Sequence, residues 1–288
     1  ILTFAIPLML GNVFQQFYTV VDTAIVGQAL GVNALAALGA ADWLNWLVLG
    51  LIQGFAQGFS IYMAQRFGAE DHEGLNRSIG ATISLSAVIS ILTVILSQVA
   101  MAPVLRAMNT PEEIIGGAFT YLRIMFAGIP IIMAYNVLAS ILRALGDSKT
   151  PLWFLIASSV GNIVLDAVFV IIFHWGVGGV AWATFLAQGV ASACAFWAVL
   201  RRLKSIETKE KPALFSGAML RRISIVAIPS ILQQSFVSVG NLCIQGLVNG
   251  FGSSAIAGYS AGVKLNTFAT TSLTALNNSV SSFTGQNI

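Results

Sequence analysis

The chain has 288 residues, of which 57% are hydrophobic and only 9% charged, and its mean hydropathy is +0.84. Soluble globular domains carry about 25% charged residues, so the composition excludes that class and defines a polytopic membrane protein. The formal net charge of +3 comes from basic residues between apolar runs, where topology signals belong, so it is not read as a nucleic-acid-binding face.

A membrane span needs about 20 mostly apolar residues. The hydropathy breaks predict eight segments, at 1–29, 33–66, 79–104, 113–143, 151–174, 178–201, 221–250 and 254–288. Gly31, Pro103/Pro111, Gly146/Pro151, Gly176/Gly178 and Gly250/Gly252 punctuate them, as glycine and proline do in loops. Arg66 and Arg77, Arg143 and Lys149, and seven basic residues within 201–222 fall on one side, against Arg106 on the other. The positive-inside bias then predicts a cytoplasmic amino terminus. The predicted organisation is a six-span lobe over 1–202, a cytoplasmic linker over 203–220, and the first two spans of a second lobe over 221–288. Cys194 and Cys243 lie in apolar runs without metal or redox spacing and read as packing residues. The chain starts at Ile1 without a methionine and stops within an apparent helix at Ile288, which reads as a fragment of a longer protein.

An internal repeat supports the two-lobe organisation. Phe4-Ala5-Ile6-Pro7 recurs as Val226-Ala227-Ile228-Pro229, Asn33-Ala34-Leu35-Ala36-Ala37 faces Ser254-Ala255-Ile256-Ala257-Gly258, and Gln65 faces Gln286. The period is about six spans, an even number, so the two copies run in the same sense, as in the parallel repeats of secondary transporters.

Asp22 and Asp166 are carboxylates inside apolar segments, and an ionisable group at membrane depth marks a functional site by default. Each lies nine residues before an outer break, Gly31 and Trp175 respectively, or about 13 Å below the outer surface at 1.5 Å per residue. Asn162 precedes Asp166 by one turn on the same face, and Thr184 reaches a similar level on the descending sixth span. This oxygen set suits a hard cation or a stored proton, since a carboxyl out of water beside another negative charge favours its neutral form. The alternative is that the acids brace helix junctions. Gln15 and Tyr18 adjoin Asp22, and Tyr121, Arg123 and Asn136 mark the fourth span; these either line a cavity or hydrogen-bond between helices. Gly54 and Gly58 allow a close helix contact. Lys264 has no assigned partner. Pro7 and Pro229 occupy equivalent places in the repeat and predict kinks.

Pro7, Val21-Asp22-Thr23, Val26-Gly27, Gly161-Asn162, Asp166 and Gly285-Gln286-Asn287-Ile288 together resemble the multidrug and toxic compound extrusion (MATE) family, in particular its DNA-damage-inducible-protein-F branch. The resemblance implies an all-α MATE-type fold with two six-helix lobes around a central cavity, of which this chain has the amino-terminal lobe and the first two spans of the second. It implies an export antiporter of the prokaryotic plasma membrane, acting as a monomer on cationic or amphipathic compounds, with no cofactor beyond a coupling Na⁺ or H⁺ and no nucleic-acid partner. By position it assigns Asp22, Asn162, Asp166 and Thr184 to the cation site, Na⁺ included, and Gln15 and Tyr18 to the drug cavity, and makes Pro7 a protonation-linked bend. A fragment cut at Ile288 is not expected to transport alone. A flippase of lipid-linked precursors shares the fold but is disfavoured by the few basic intramembrane residues. An intramembrane aspartyl protease is disfavoured because neither acid follows glycine, and a passive channel because the acids are confined to one lobe.

Overall fold

The computed structural model describes residues 2–108 and 110–204, and scattered positions from 221 to 287; all the secondary structure among them is helical. The helices are α1 (Leu2–Ala29), α2 (Val32–Gly68), α3 (His72–Ala107), α4 (Glu112–Ala127), α5 (Ile129–Ala144), α6 (Lys149–Asp166) and α7 (Gly176–Lys204). Four described helices are long and apolar enough to cross a membrane, namely Asn33–Gly68, His72–Ala107, Lys149–Ile172 and Gly176–Lys204, and α4 and α5, bent by 48° at their junction, are long and apolar enough only when taken together. The 28-residue α1 is as long, but Asn12, Gln15, Gln16, Tyr18 and Asp22 dilute its apolar character.

The predicted fourth span is therefore not one rod. It breaks at Gly128, which ends α4, and Pro130 opens α5 near its first turn, where a missing N–H costs nothing and the proline ring excludes a continuous helix. Pro103, expected to end the third span, sits inside α3, which continues to Ala107. Pro7 likewise lies within an unbroken α1, and its side chain is buried. Cys194 and Cys243, expected to pack inward, are both exposed. The linker 203–220, Lys264 and most of the last two predicted spans lie outside the described residues; Pro229 is described as helical and exposed.

The core is built where α2, α4, α5 and α7 meet. Phe59, Phe126, Met133, Ile141 and Leu142 are at most 1% exposed, and Gly54 and Gly58 on α2 are buried among them. By contrast, α3 shows Ile91, Leu92, Ile95, Leu96 and Val99 more than half exposed, as a lipid-facing surface requires. The helical stretch 273–285 packs against the far end of α2. A Cβ on Gly285 would lie 3.2 Å from Ala64 Cβ and 3.5 Å from the Ile61 carbonyl oxygen, so this crossing admits only the smallest side chain.

The turn from α2 to α3 is clamped by Asp71. Its Oδ1 accepts the Gly74 N–H at 2.8 Å, its Oδ2 accepts from Arg66 Nη1 at 2.8 Å, and Arg66 Nε donates to the Tyr62 hydroxyl at 3.1 Å. The Gly74 N–H, and then Arg66, hold the Asp71 carboxyl below the usual carboxylate range. A lowered folded pKa contributes stability above the unfolded value of about 4 and loses it as pH falls through the folded value. Thermal unfolding followed against pH should therefore show an acid-side loss that Asp71→Asn flattens, and Asp71→Ala should cost about 1 kcal/mol at neutral pH as a lost helix cap.

Candidate cation site

Three helices carry the expected site residues. Asp22 comes from the last third of α1, Asn162 and Asp166 from successive turns of α6, and Thr184 from the third turn of α7, and α6 packs along both α1 and α7. Asp166 is fully buried and Asn162 is 3% exposed; Asp22 and Thr184 are half-buried. The Asn162 amide satisfies both its ends when its nitrogen donates to Asp166 Oδ2 at 3.3 Å and its oxygen accepts from the Thr184 hydroxyl and backbone N–H, each at 3.2 Å. The opposite orientation, with the nitrogen on Thr184 Oγ1 at 3.2 Å, leaves Asp166 unserved and is the poorer assignment.

The two carboxyl groups lie within hydrogen-bonding reach of each other. Asp22 Oδ1 and Asp166 Oδ1 are both buried without a hydrogen-bond partner. Two carboxylate oxygens in contact repel unless a positive charge stands between them, so the geometry has room for one added cation, a proton or a hard metal ion. Among the described residues no salt bridge involves either acid, and no group of three acidic, histidine or cysteine side chains forms a cage. Any metal would depend on the Asn162 and Thr184 oxygens to complete its shell.

A run of π-helix, Ala167–Ile172, follows Asp166 directly. Such segments are rare and recur at functional sites. This one is held from outside: Phe169 stacks on Trp175 at 4.8 Å and on Phe173 at 6.0 Å, and a Cβ on Gly179 would meet Phe169 Cβ at 3.2 Å and Trp175 Cβ at 3.1 Å.

Of the other expected residues, Tyr18 and Gln15 lie within hydrogen-bonding reach of each other, and Tyr18 feels the charge of both Asp22 and Asp166. Tyr18 also lines a narrow crevice with Ser158, Ser159, Asn162, Thr184 and Gln188. Tyr121 is buried at 8% exposure and senses the same acids. Asn136 donates its amide to Ile132 O at 2.8 Å in its own helix, and no described contact ties it to the acids. Arg123 is exposed. Two residues escaped the sequence reading. Gln188, one turn beyond Thr184, lines the crevice with its Oε1 buried and unpartnered. Asp42 on α2 is a third intramembrane carboxylate whose charge is felt at Asp22 and at the Tyr121 hydroxyl.

Membrane-length helices gathered around a carboxylate pair define a helical, multi-pass membrane protein with an intramembrane polar site. The chain belongs to the multidrug and toxic compound extrusion family, since the MatE family model matches residues 7–168. It is 32% identical over 286 residues to the "Probable multidrug resistance protein YpnP" of Bacillus subtilis (strain 168), covering 99% of this chain and 64% of that protein. It is 23% identical over 265 residues to the "Multidrug export protein MepA" of Staphylococcus saprophyticus, covering 92% of this chain and 59% of the relative. It also superposes, with a TM-score of 0.89 and 28% identity, on a structure described as the outward-facing conformation of a multidrug resistance MATE family transporter, covering 98% of this chain and 63% of that one. The chain thus spans less than two thirds of the length of these relatives.

Proposed function

We propose that the intact protein is a secondary active exporter of cationic, amphipathic small molecules from the prokaryotic cytoplasm, exchanging them for Na⁺ or H⁺ across the plasma membrane with its amino terminus inside. The observation that carries the reading is the contact between Asp22 and Asp166, a buried acid pair with one unpartnered oxygen on each side. The family membership and the names of the multidrug-resistance relatives support the same reading.

An entering cation cancels one of the pair's two negative charges and relieves the repulsion between its members, which biases the packing of α1 against α6. Tyr18, on α1 in the adjoining crevice, is carried with that packing. Substrate and coupling cation then favour opposite states of one lobe, and each must lower the other's affinity by the same factor. Asn162 and Thr184 orient Asp166 and contribute oxygens. Pro7 frees the start of α1 to bend.

Substrate efflux from vesicles containing the intact protein tests this. An imposed Na⁺ or pH gradient should drive it, and Asp22→Asn should reduce it to the no-gradient level. Efflux indifferent to both gradients, with a lipid-linked precursor moving instead, would give the protein to the flippase class.

A further inference from the structure

Asp42 is not part of the buried pair. It lies ten residues beyond the start of α2, about 15 Å along the helix axis, so it shares the depth of Asp22; the residue is exposed at the surface of α2, while the protein around its carboxyl withdraws much of the water from it. Among the described residues nothing gives it an ion pair or a hydrogen bond. The direction it faces follows from helix geometry. Trp46 precedes Ala64 by five whole turns at about 3.6 residues each, so both occupy one face of α2, and Asp42 stands one turn from Trp46 on that face. Ala64 is the residue that meets Gly285 of the second half. The same stripe is exposed at Leu35, Gly39, Asp42, Trp46 and Gln53, with Trp46 56% exposed. It therefore runs along the side of α2 that meets the second half, and carries Trp46 one turn from an unpaired carboxylate.

We propose that Asp42 and Trp46 form the subsite that selects organic cations on this side of α2, the carboxylate supplying the charge and the indole face a cation–π contact. The subsite rests on the export reading above and names its recognition element. A bulky aromatic cation suits it better than an inorganic ion, because one carboxylate beside an indole offers a low-dielectric wall and too few oxygens for a metal shell. Asp42 also feels the charge of Asp22. The Asp22 charge also attracts a cation seated at Asp42 directly, so a coupling cation that cancels charge at Asp22 removes that attraction and the two ions compete without sharing a ligand.

The test is equilibrium binding of tetraphenylphosphonium to the intact protein in nanodiscs, with uncharged triphenylphosphine oxide as the comparison. Asp42→Asn should weaken tetraphenylphosphonium binding about tenfold, and Trp46→Ala about threefold or more. Triphenylphosphine oxide should change less than about twofold, and Asp42→Glu should recover most of the cation affinity. Equal cation affinity in Asp42→Asn and wild type overturns the subsite, and so does a parallel loss of both probes. Wild-type protein that binds no tetraphenylphosphonium overturns the export reading itself.

Discussion

Asparagine in place of Asp166 should reduce cation-driven export by the intact protein to background while leaving the fold at least as stable. Asp166 is fully buried and takes the Asn162 amide on one oxygen, leaving the other without a partner. The amide fills the same volume and can still approach Asp22, but it cannot bring the second negative charge that makes the pair attractive to a cation. Hydrogen bonds to charged groups are worth about 1.5–3 kcal/mol each, so binding of the coupling cation should fall roughly tenfold to a hundredfold. Removing an uncompensated buried charge is neutral to stabilising, so the unfolding temperature should hold or rise. Direct cation binding and thermal unfolding on one preparation check both halves. Retained cation binding would move the site away from α6, whereas a fallen unfolding temperature would make Asp166 a brace between helices.

The largest stability effect is expected at Gly179. Its bare Cα faces the π-helical run, and a Cβ there would lie 3.2 Å from Phe169 Cβ, 3.3 Å from the Phe169 carbonyl carbon and 3.1 Å from Trp175 Cβ. Backbone cannot give way as a flexible side chain can, so Gly179→Val should lower stability by about 1–3 kcal/mol, the usual range for overpacking, and Gly179→Ala by less. Because the run begins at the residue after Asp166, the strain should also reach the carboxyl. Weakened cation binding in Gly179→Val, measured well below its unfolding temperature, would show that the π-helical run positions the acid.

Much of this arrangement was legible in the residues. Six of the predicted spans match α1, α2, α3, the α4/α5 pair, α6 and α7, because apolar runs of membrane length have few alternatives in a bilayer. Counting residues from Gly31 and Trp175 was enough to put Asp22 and Asp166 at one depth, since helical rise converts sequence separation into distance. The bend at Gly128 left a signal in Gly128-Ile129-Pro130, outweighed by the unbroken hydropathy on either side. The π-helical run left none, because tertiary contacts to Trp175 and Gly179 decide it. Asp42 was obscured by its neighbours: an acid among Trp43 and Trp46 near a span's beginning reads as an interfacial belt, and only the direction of α2's face puts it on the side that meets the second half.

The crossing of Ala64 with Gly285 has a mechanical consequence. These residues immediately precede Gln65 and Gln286, which the internal repeat pairs, so equivalent positions of the two copies touch. Such a contact lies on the axis of any two-fold that relates the copies. With no side chain interlocked across it, it is the natural fulcrum for any rocking that preserves it, and α2 becomes a lever arm. Asp42 lies about 33 Å along that arm from Ala64 at 1.5 Å per residue. A tilt of about 10° around the fulcrum would sweep Asp42 through about 6 Å, roughly the width of an aromatic cation, while Ala64 hardly moves.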